Sequence, residues 1–208
     1  MNNSKTVTNL SKAGKYSIRQ ICIIGILSAL AAIVMLFEIP LWFAPNFYLL
    51  DFSDIIVAIG AFTLGPVSGI IIELLKNLLN LLLNGTVTGG VGEFANFVIG
   101  SAFIVPSSFI YKRMGGFKGA LIGLSAGTIS LAIVGGLMNY YILLPLFSVA
   151  FKMPIDAFVE MGTKVNSKIV DIKTLVLFAT TPFNLLKGII ISTITLLSFK
   201  KLSAILHK

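Results

Sequence analysis

Long apolar runs separated by short polar punctuation dominate the chain. The first runs from Ile21 to Phe37 and stops at Glu38 and Pro40, which predicts a helix over about 18–39. A cleaved signal peptide competes for this segment, but the run exceeds the usual 7 to 15 residues of a signal core, so a spanning helix is the better reading. Residues 40–54 break the pattern and form a loop rich in aromatics: Trp42, Phe43, Phe47 and Tyr48. From Asp54 to Asn84 the chain is apolar again, interrupted at Gly65-Pro66. That stretch is too long for one untilted crossing at about 1.5 Å per residue. It divides into a short helix over 55–64 and a longer one over 67–83, with Gly-Pro as the punctuation. Further helices are predicted over about 93–111, 118–147 and 174–199, and the polar stretch 148–173 reads as an outside loop with room for a short helix.

Helices of this length and character belong in a bilayer. The 208 residues are 56% hydrophobic and only 12% charged, with mean hydropathy +0.97, against about 25% charged in ordinary soluble domains. The expected fold is an all-α integral membrane protein: a basic segment at 1–20, then one six-helix membrane domain over 21–208. One cysteine, Cys22, and one histidine, His207, leave no disulfide framework and no Cys/His zinc set within the chain.

The net charge of +8 could point to nucleic acid, but its placement points to the membrane. With the amino terminus inside and six crossings, Lys5, Lys12, Lys15, Arg19, Lys112, Arg113, Lys118, Lys200, Lys201 and Lys208 all fall on the cytoplasmic side, and no acid joins them. Lys152, Lys164, Lys168 and Lys173 fall outside. The positive-inside rule therefore predicts both termini in the cytoplasm.

Polar residues inside the spans need a reason, since an ionised side chain at the bilayer centre costs about 2.5–3.5 kcal/mol on insertion scales. Glu73, Asn77, Asn80 and Asn84 are spaced by four, three and four, which places them on one helix face. Thr180, Asn184 and Lys187 repeat the spacing of four and three. Glu93 and Asn96 open the fourth helix, and Asn139 lies in the outer half of the fifth. In the predicted orientation these groups converge toward the outside. Interhelical hydrogen bonding is one use for them, at about 0.6 kcal/mol each. A ligand cavity open to the outside explains the whole collection better, with the aromatic loop as a lid suited to a flat heterocycle. Glu73 and Lys76, three residues apart, read as a local ion pair that orients helices. Gly119, Gly123 and Gly127 provide a face for close helix approach, and Gly25, Ser28, Ala29, Ala31 and Ala32 form a small-residue surface on the first helix, which packs internally or docks a membrane partner. No phosphate-binding loop is present: Gly115-Gly116-Phe117-Lys118-Gly119 lacks the spacing and the Ser or Thr. ATP hydrolysis by this chain, and catalysis in general, are not expected.

The strings Phe37-Glu38-Ile39-Pro40, Leu50-Asp51-Phe52-Ser53-Asp54, Glu73-Leu74-Leu75-Lys76-Asn77, Gly89-Gly90-Val91-Gly92-Glu93-Phe94-Ala95-Asn96, Asn139-Tyr140-Tyr141 and Pro182-Phe183-Asn184-Leu185-Leu186-Lys187-Gly188 carry a family resemblance. In order and spacing they resemble the substrate-binding S components of energy-coupling factor vitamin importers, most closely the riboflavin-specific members. The resemblance covers nearly all of the chain after residue 20. It implies capture of riboflavin from outside, with no other cofactor. It also implies assembly with a membrane T component and two cytoplasmic ATPases. Family members meet the T component through A-x-x-x-A on the first helix; the corresponding small residues here are Ser28 and Ala32, or Gly25 and Ala29. The ligand set expected on this basis is Asn184 and Lys187 at the ring edge, with Asn96, Glu93 and Asn139 for further polar contacts. Thr180, Asn80 and Asn84 share the cavity, and Phe43, Phe47, Tyr48 and Leu50 serve the lid. The alternatives are an S component for another vitamin and an autonomous transporter or channel using Glu73 and Lys76 as a coupling pair.

Overall fold

The computed structural model describes residues 16–86 and 88–206, with side chains described through residue 198. Most of the predicted basic segment, including Lys5, Lys12 and Lys15, lies outside the described residues, as do His207 and Lys208.

The elements follow the apolar pattern closely. Helix α1 spans Ile18–Met35 and begins with a capping box, in which the Ser17 hydroxyl accepts from the Gln20 N–H and the Gln20 side chain accepts from the Ser17 N–H. It ends four residues short of the predicted boundary. The following residues instead pair as two short antiparallel strands, β1 (Ile39–Pro40) and β2 (Leu49–Leu50), with Ile39 opposite Leu50. Helix α2 (Ser53–Leu64) and helix α3 (Pro66–Asn84) are separate, as Gly65-Pro66 predicts. Gly65 sits at φ +98°, a conformation L side chains rarely adopt, and Pro66 occupies the first turn of α3, where its missing N–H costs no hydrogen bond. Helix α4 covers Val91–Met114, and helix α5 covers Gly116–Met138.

The predicted fifth helix continues beyond α5 through a π-helical turn, Asn139–Leu143, into α6 (Leu144–Phe151). The polar outside stretch contains α7 (Ile155–Val165). A second π turn, Val176–Thr180, joins the short α8 (Ile172–Leu175) to α9 (Thr181–Leu206). Asp171 caps α8: its carboxylate accepts the Thr174 N–H at 2.7 Å, which holds it below the usual carboxylate range.

Among the described residues five helical segments are long and apolar enough to cross a membrane, Ile18–Met35, Pro66–Asn84, Val91–Met114, Gly116–Phe151 and Ile172–Ser198, and Ser53–Leu64 is a shorter apolar helix. The chain is an all-α membrane protein. Large apolar side chains such as Ile26, Ile129 and Leu197 point outward, where lipid solvates them, while the interior combines large apolar side chains such as Phe103 and Ile72 with small and polar residues.

Glycines set how closely the helices pack. α5 packs on α4 and on α9. A Cβ at Gly123 would strike the Ser107 carbonyl, and one at Gly127 would stand 2.6 Å from the Phe103 carbonyl oxygen. Gly188 leaves a Cβ only 3.1 Å from the Thr128 backbone. The face predicted from the four-residue spacing is thus an α4–α5 contact: Gly123 and Gly127 meet the middle of α4, and Gly119 meets Met114 at its end. On α1, Ser28 and Ala32 are buried against the protein's own helices, and the Ser28 hydroxyl donates to the Ile24 carbonyl at 2.8 Å. Gly25 and Ala29 remain on the outer face. Of the two small-residue pairs, Ser28–Ala32 faces the interior and Gly25–Ala29 is the exposed one.

Two apolar cores result. One lies among α1 to α5 and α9 and includes Ile24, Ala31, Val57, Ile72, Phe103, Leu131 and Ile191. The other ties the 40–52 segment to α6, α7 and the start of α9 through Tyr48, Leu50, Leu144, Phe158, Leu175 and Phe183. The candidate site lies beside this second core.

Candidate functional site

A cavity of about 430 Å³ opens between the 40–52 segment, helices α3, α4, α6 and α9 and the π turn Asn139–Leu143, within the range of small-molecule sites. Nine of the twelve residues expected in the site line it. Asn80 and Asn84 come from α3, Glu93 and Asn96 from the first turns of α4, Asn139 from the π turn, Asn184 and Lys187 from α9, and Phe47 and Tyr48 from the overlying segment.

The three others have structural places. Leu50 is buried in the second core, and Phe43 packs against that core and edge-on to Trp42. Thr180 is fully buried behind the wall, where its hydroxyl meets the Tyr48 hydroxyl at 2.6 Å. The reason is local. In the 39–50 ladder Leu50 turns inward next to the wall residue Leu49, and Thr180 is the last residue of the second π turn, buried where it meets Tyr48. The first π turn lines the cavity with Asn139 and Leu143, and π turns of this kind are frequent at functional sites.

The amides divide into two groups. Asn139 is committed to the protein: its Nδ2 donates to the Gly135 carbonyl at 2.9 Å, and its Oδ1 accepts from the Tyr48 hydroxyl at 2.9 Å. With the Tyr48 proton spent on Asn139, the Thr180 hydroxyl donates to Tyr48. This arrangement rivets the aromatic segment to two helices, and the Tyr48 ring stacks on Phe183 at 5.4 Å between centroids. Asn84, Asn96 and Asn184 instead make no side-chain hydrogen bond among the described residues, and the Asn80 Nδ2 is buried without a partner. A buried polar group left unpaired costs about 1–3 kcal/mol, a cost that falls here on the Asn80 Nδ2; Asn84, which is exposed, Asn96, which is half-buried, and Asn184 line the cavity with amides available to a ligand. Gly135 makes room for Asn184: a Cβ there would fall 2.9 Å from the amide carbon.

Below the cavity runs a chain of buried ion pairs. Lys76 bridges Asp54 (2.6 Å) and Glu73 (2.8 Å), and Lys187 bridges Asp51 (2.9 Å) and Asp54 (3.2 Å). The Glu73–Lys76 pair is the one expected from sequence. Asp51 and Asp54 were not among the expected site residues, although their position just after the aromatic loop, facing two intramembrane lysines, is the signal that could have paired them. Asp51 also accepts the backbone N–H and the hydroxyl of Ser53, which fixes the start of α2. Glu38, Thr88, Phe147, Phe151 and Phe183 complete the wall beyond the expected set. The Phe147/Phe151 spacing of four and the position of Phe183 beside Asn184 are legible signals for three of them.

Such a site can bind a ligand with a flat apolar body and a polar edge, clamped between aromatics and read by amides. Among the described residues no group of three or more His, Cys, Asp or Glu could hold a metal ion.

Comparison with known proteins is consistent with this chemistry. The chain is 35% identical over 190 residues to riboflavin transporter RibU of Staphylococcus aureus (strain TCH60), covering 91% of this chain and 93% of that protein. It is 32% identical over 186 residues to riboflavin transporter FmnP of Bacillus subtilis (strain 168), covering 89% and 92%. A solved structure described as the S component of a bacterial ECF transporter superposes with TM-score 0.71 at 34% identity, covering 91% of this chain and 98% of that one. The family model of the ECF transporter substrate-specific component matches residues 19–199. The chain therefore belongs to the ECF transporter substrate-specific component family.

Proposed function

We propose that the chain captures riboflavin from the outer side of the cell membrane and hands it to an ATP-driven importer whose T component and ATPases are separate chains. The observation that carries this reading is the set of unpaired amides from α3, α4 and α9 around a cavity roofed by Phe47 and Tyr48. Riboflavin presents a flat tricycle for the aromatics, a uracil-like edge that one amide can match with two hydrogen bonds, and a ribityl chain of hydroxyls. Asn184 and Lys187 meet the ring edge, while Asn96, Glu93, Asn80 and Asn84 serve the ribityl end. Asn139, already bonded to Tyr48, acts mainly by holding the lid.

Six crossings with both termini in the cytoplasm complete the reading. α2, with only 12 residues, makes the shortest, and Lys112, Arg113 and Lys118 mark a cytoplasmic turn between α4 and α5. On the outer face of α1, Gly25 and Ala29 are one helical turn apart, and a Cβ at Gly25 would meet nothing within 4 Å. That pair is the contact for the T component.

A competition experiment tests the ligand. Protein purified from cells is expected to carry a yellow, flavin-like chromophore that riboflavin exchanges and that thiamine and biotin do not displace. Displacement by thiamine or biotin at similar concentration would move the assignment to another vitamin.

A further inference from the structure

Lys187 stands on the cavity wall, yet its charge is shared below the wall. Its ammonium has three N–H donors, and two directions are taken by the carboxylates of Asp51 at 2.9 Å and Asp54 at 3.2 Å. The two acids have different places. Asp54 sits in the first turn of α2 and is also held by Lys76 at 2.6 Å. Asp51 directly follows β2, the last piece of the lid, and is anchored to the start of α2 through Ser53. One ion pair therefore joins the end of the lid to α9, the helix that also carries Asn184.

We propose that Asp51 is a positioning residue for ligand capture. By holding the Lys187 ammonium between lid and wall, it leaves one N–H directed at an acceptor on the ligand edge and makes that geometry depend on a closed lid. The inference rests on the riboflavin reading above. Its physical core is that a lysine can only donate, so its place in the cavity is set by where its counter-ions stand. Neutralising Asp51 removes the nearer counter-ion, and the ammonium shifts toward Asp54 and away from the cavity.

The test is a double-mutant cycle on the purified full-length chain, read by quenching of riboflavin fluorescence and by the visible absorption of the bound flavin. Asp51→Asn is expected to weaken binding about tenfold. It should also shift the bound flavin's spectrum toward that of Lys187→Gln, because a charge near the ring edge tunes flavin electronics. In a Lys187→Gln background, Asp51→Asn is expected to add less than about twofold, since the residue acts through the lysine. If Asp51→Asn fails to fold, Asp51→Glu carries the test. It keeps the charge but moves it by one methylene, and should weaken binding several-fold with the same non-additivity. Wild-type affinity and an unshifted spectrum in the folded Asp51 variant, or full additivity with Lys187→Gln, would overturn this inference and leave the riboflavin reading intact. Absence of quenching by the wild-type chain would overturn both.

Discussion

At the scale of single residues, the site turns on which polar groups are already spent. Asn139 has a partner for each end of its amide, whereas Asn184 has none, so the two positions should respond differently to the same substitution. Asn184→Ala removes a group that can pair only with ligand. It is expected to weaken riboflavin binding by about 5- to 150-fold, the equivalent of about 1–3 kcal/mol, with little change in thermal stability. Parallel titrations and melting curves check this, and a large loss of stability without loss of affinity would place Asn184 among the structural amides. Lys76 behaves in the opposite way. It is fully buried between Asp54 and Glu73 and does not line the cavity, so Lys76→Ala leaves Glu73 buried without a counter-ion and Asp54 with Lys187 alone. The expected loss is about 3–5 kcal/mol of stability, seen as a marked drop in melting temperature in detergent.

At the scale of elements, the lid and the glycine faces make separate contributions. Tyr48→Phe keeps the stacking on Phe183 but loses the hydroxyl that ties the lid to Asn139 and Thr180. It is expected to speed riboflavin release more than it slows capture, measurable by stopped-flow recovery of flavin fluorescence. Equal effects on both rates would show that the hydroxyl does not fasten the lid. Gly127→Leu would drive a side chain into the Phe103 carbonyl and is expected to prevent correct α4–α5 packing, read as loss of a monodisperse peak on gel filtration.

The sequence makes these elements legible to different degrees. Apolar runs and Gly65-Pro66 locate the helices to within a few residues, because lipid demands continuous apolar length. The Gly123/Gly127 face follows from spacing alone. The π turns at Asn139–Leu143 and Val176–Thr180 leave no trace in the apolar pattern, since they add one residue per turn without altering composition. A two-residue ladder is likewise too short to show period-two alternation, so the inward turn of Leu50 is not legible in the sequence. The Lys187–Asp51 pair spans 136 positions, and no local rule reaches that far.

At the scale of the molecule, the chain is a binding device without a motor of its own. It offers a cavity, a lid and a polar floor, and its family is that of substrate-specific subunits. Reconstituted alone in liposomes, it is expected to bind riboflavin but not accumulate it, with or without a proton gradient. Accumulation should require a T component and ATPases supplied in the same membrane with ATP. Gly25→Leu on the outer face of α1 should abolish that uptake while leaving binding unchanged, because a Cβ there meets nothing within 4 Å among the described residues. The central claim, that unpaired amides under an aromatic lid form a flavin site, is tested most directly by titrating the purified chain with riboflavin and following flavin fluorescence. The expected result is saturable quenching at one flavin per chain, weakened by Asn184→Ala and by Asn96→Ala. Quenching that does not saturate, or that is unchanged in both variants, would contradict it.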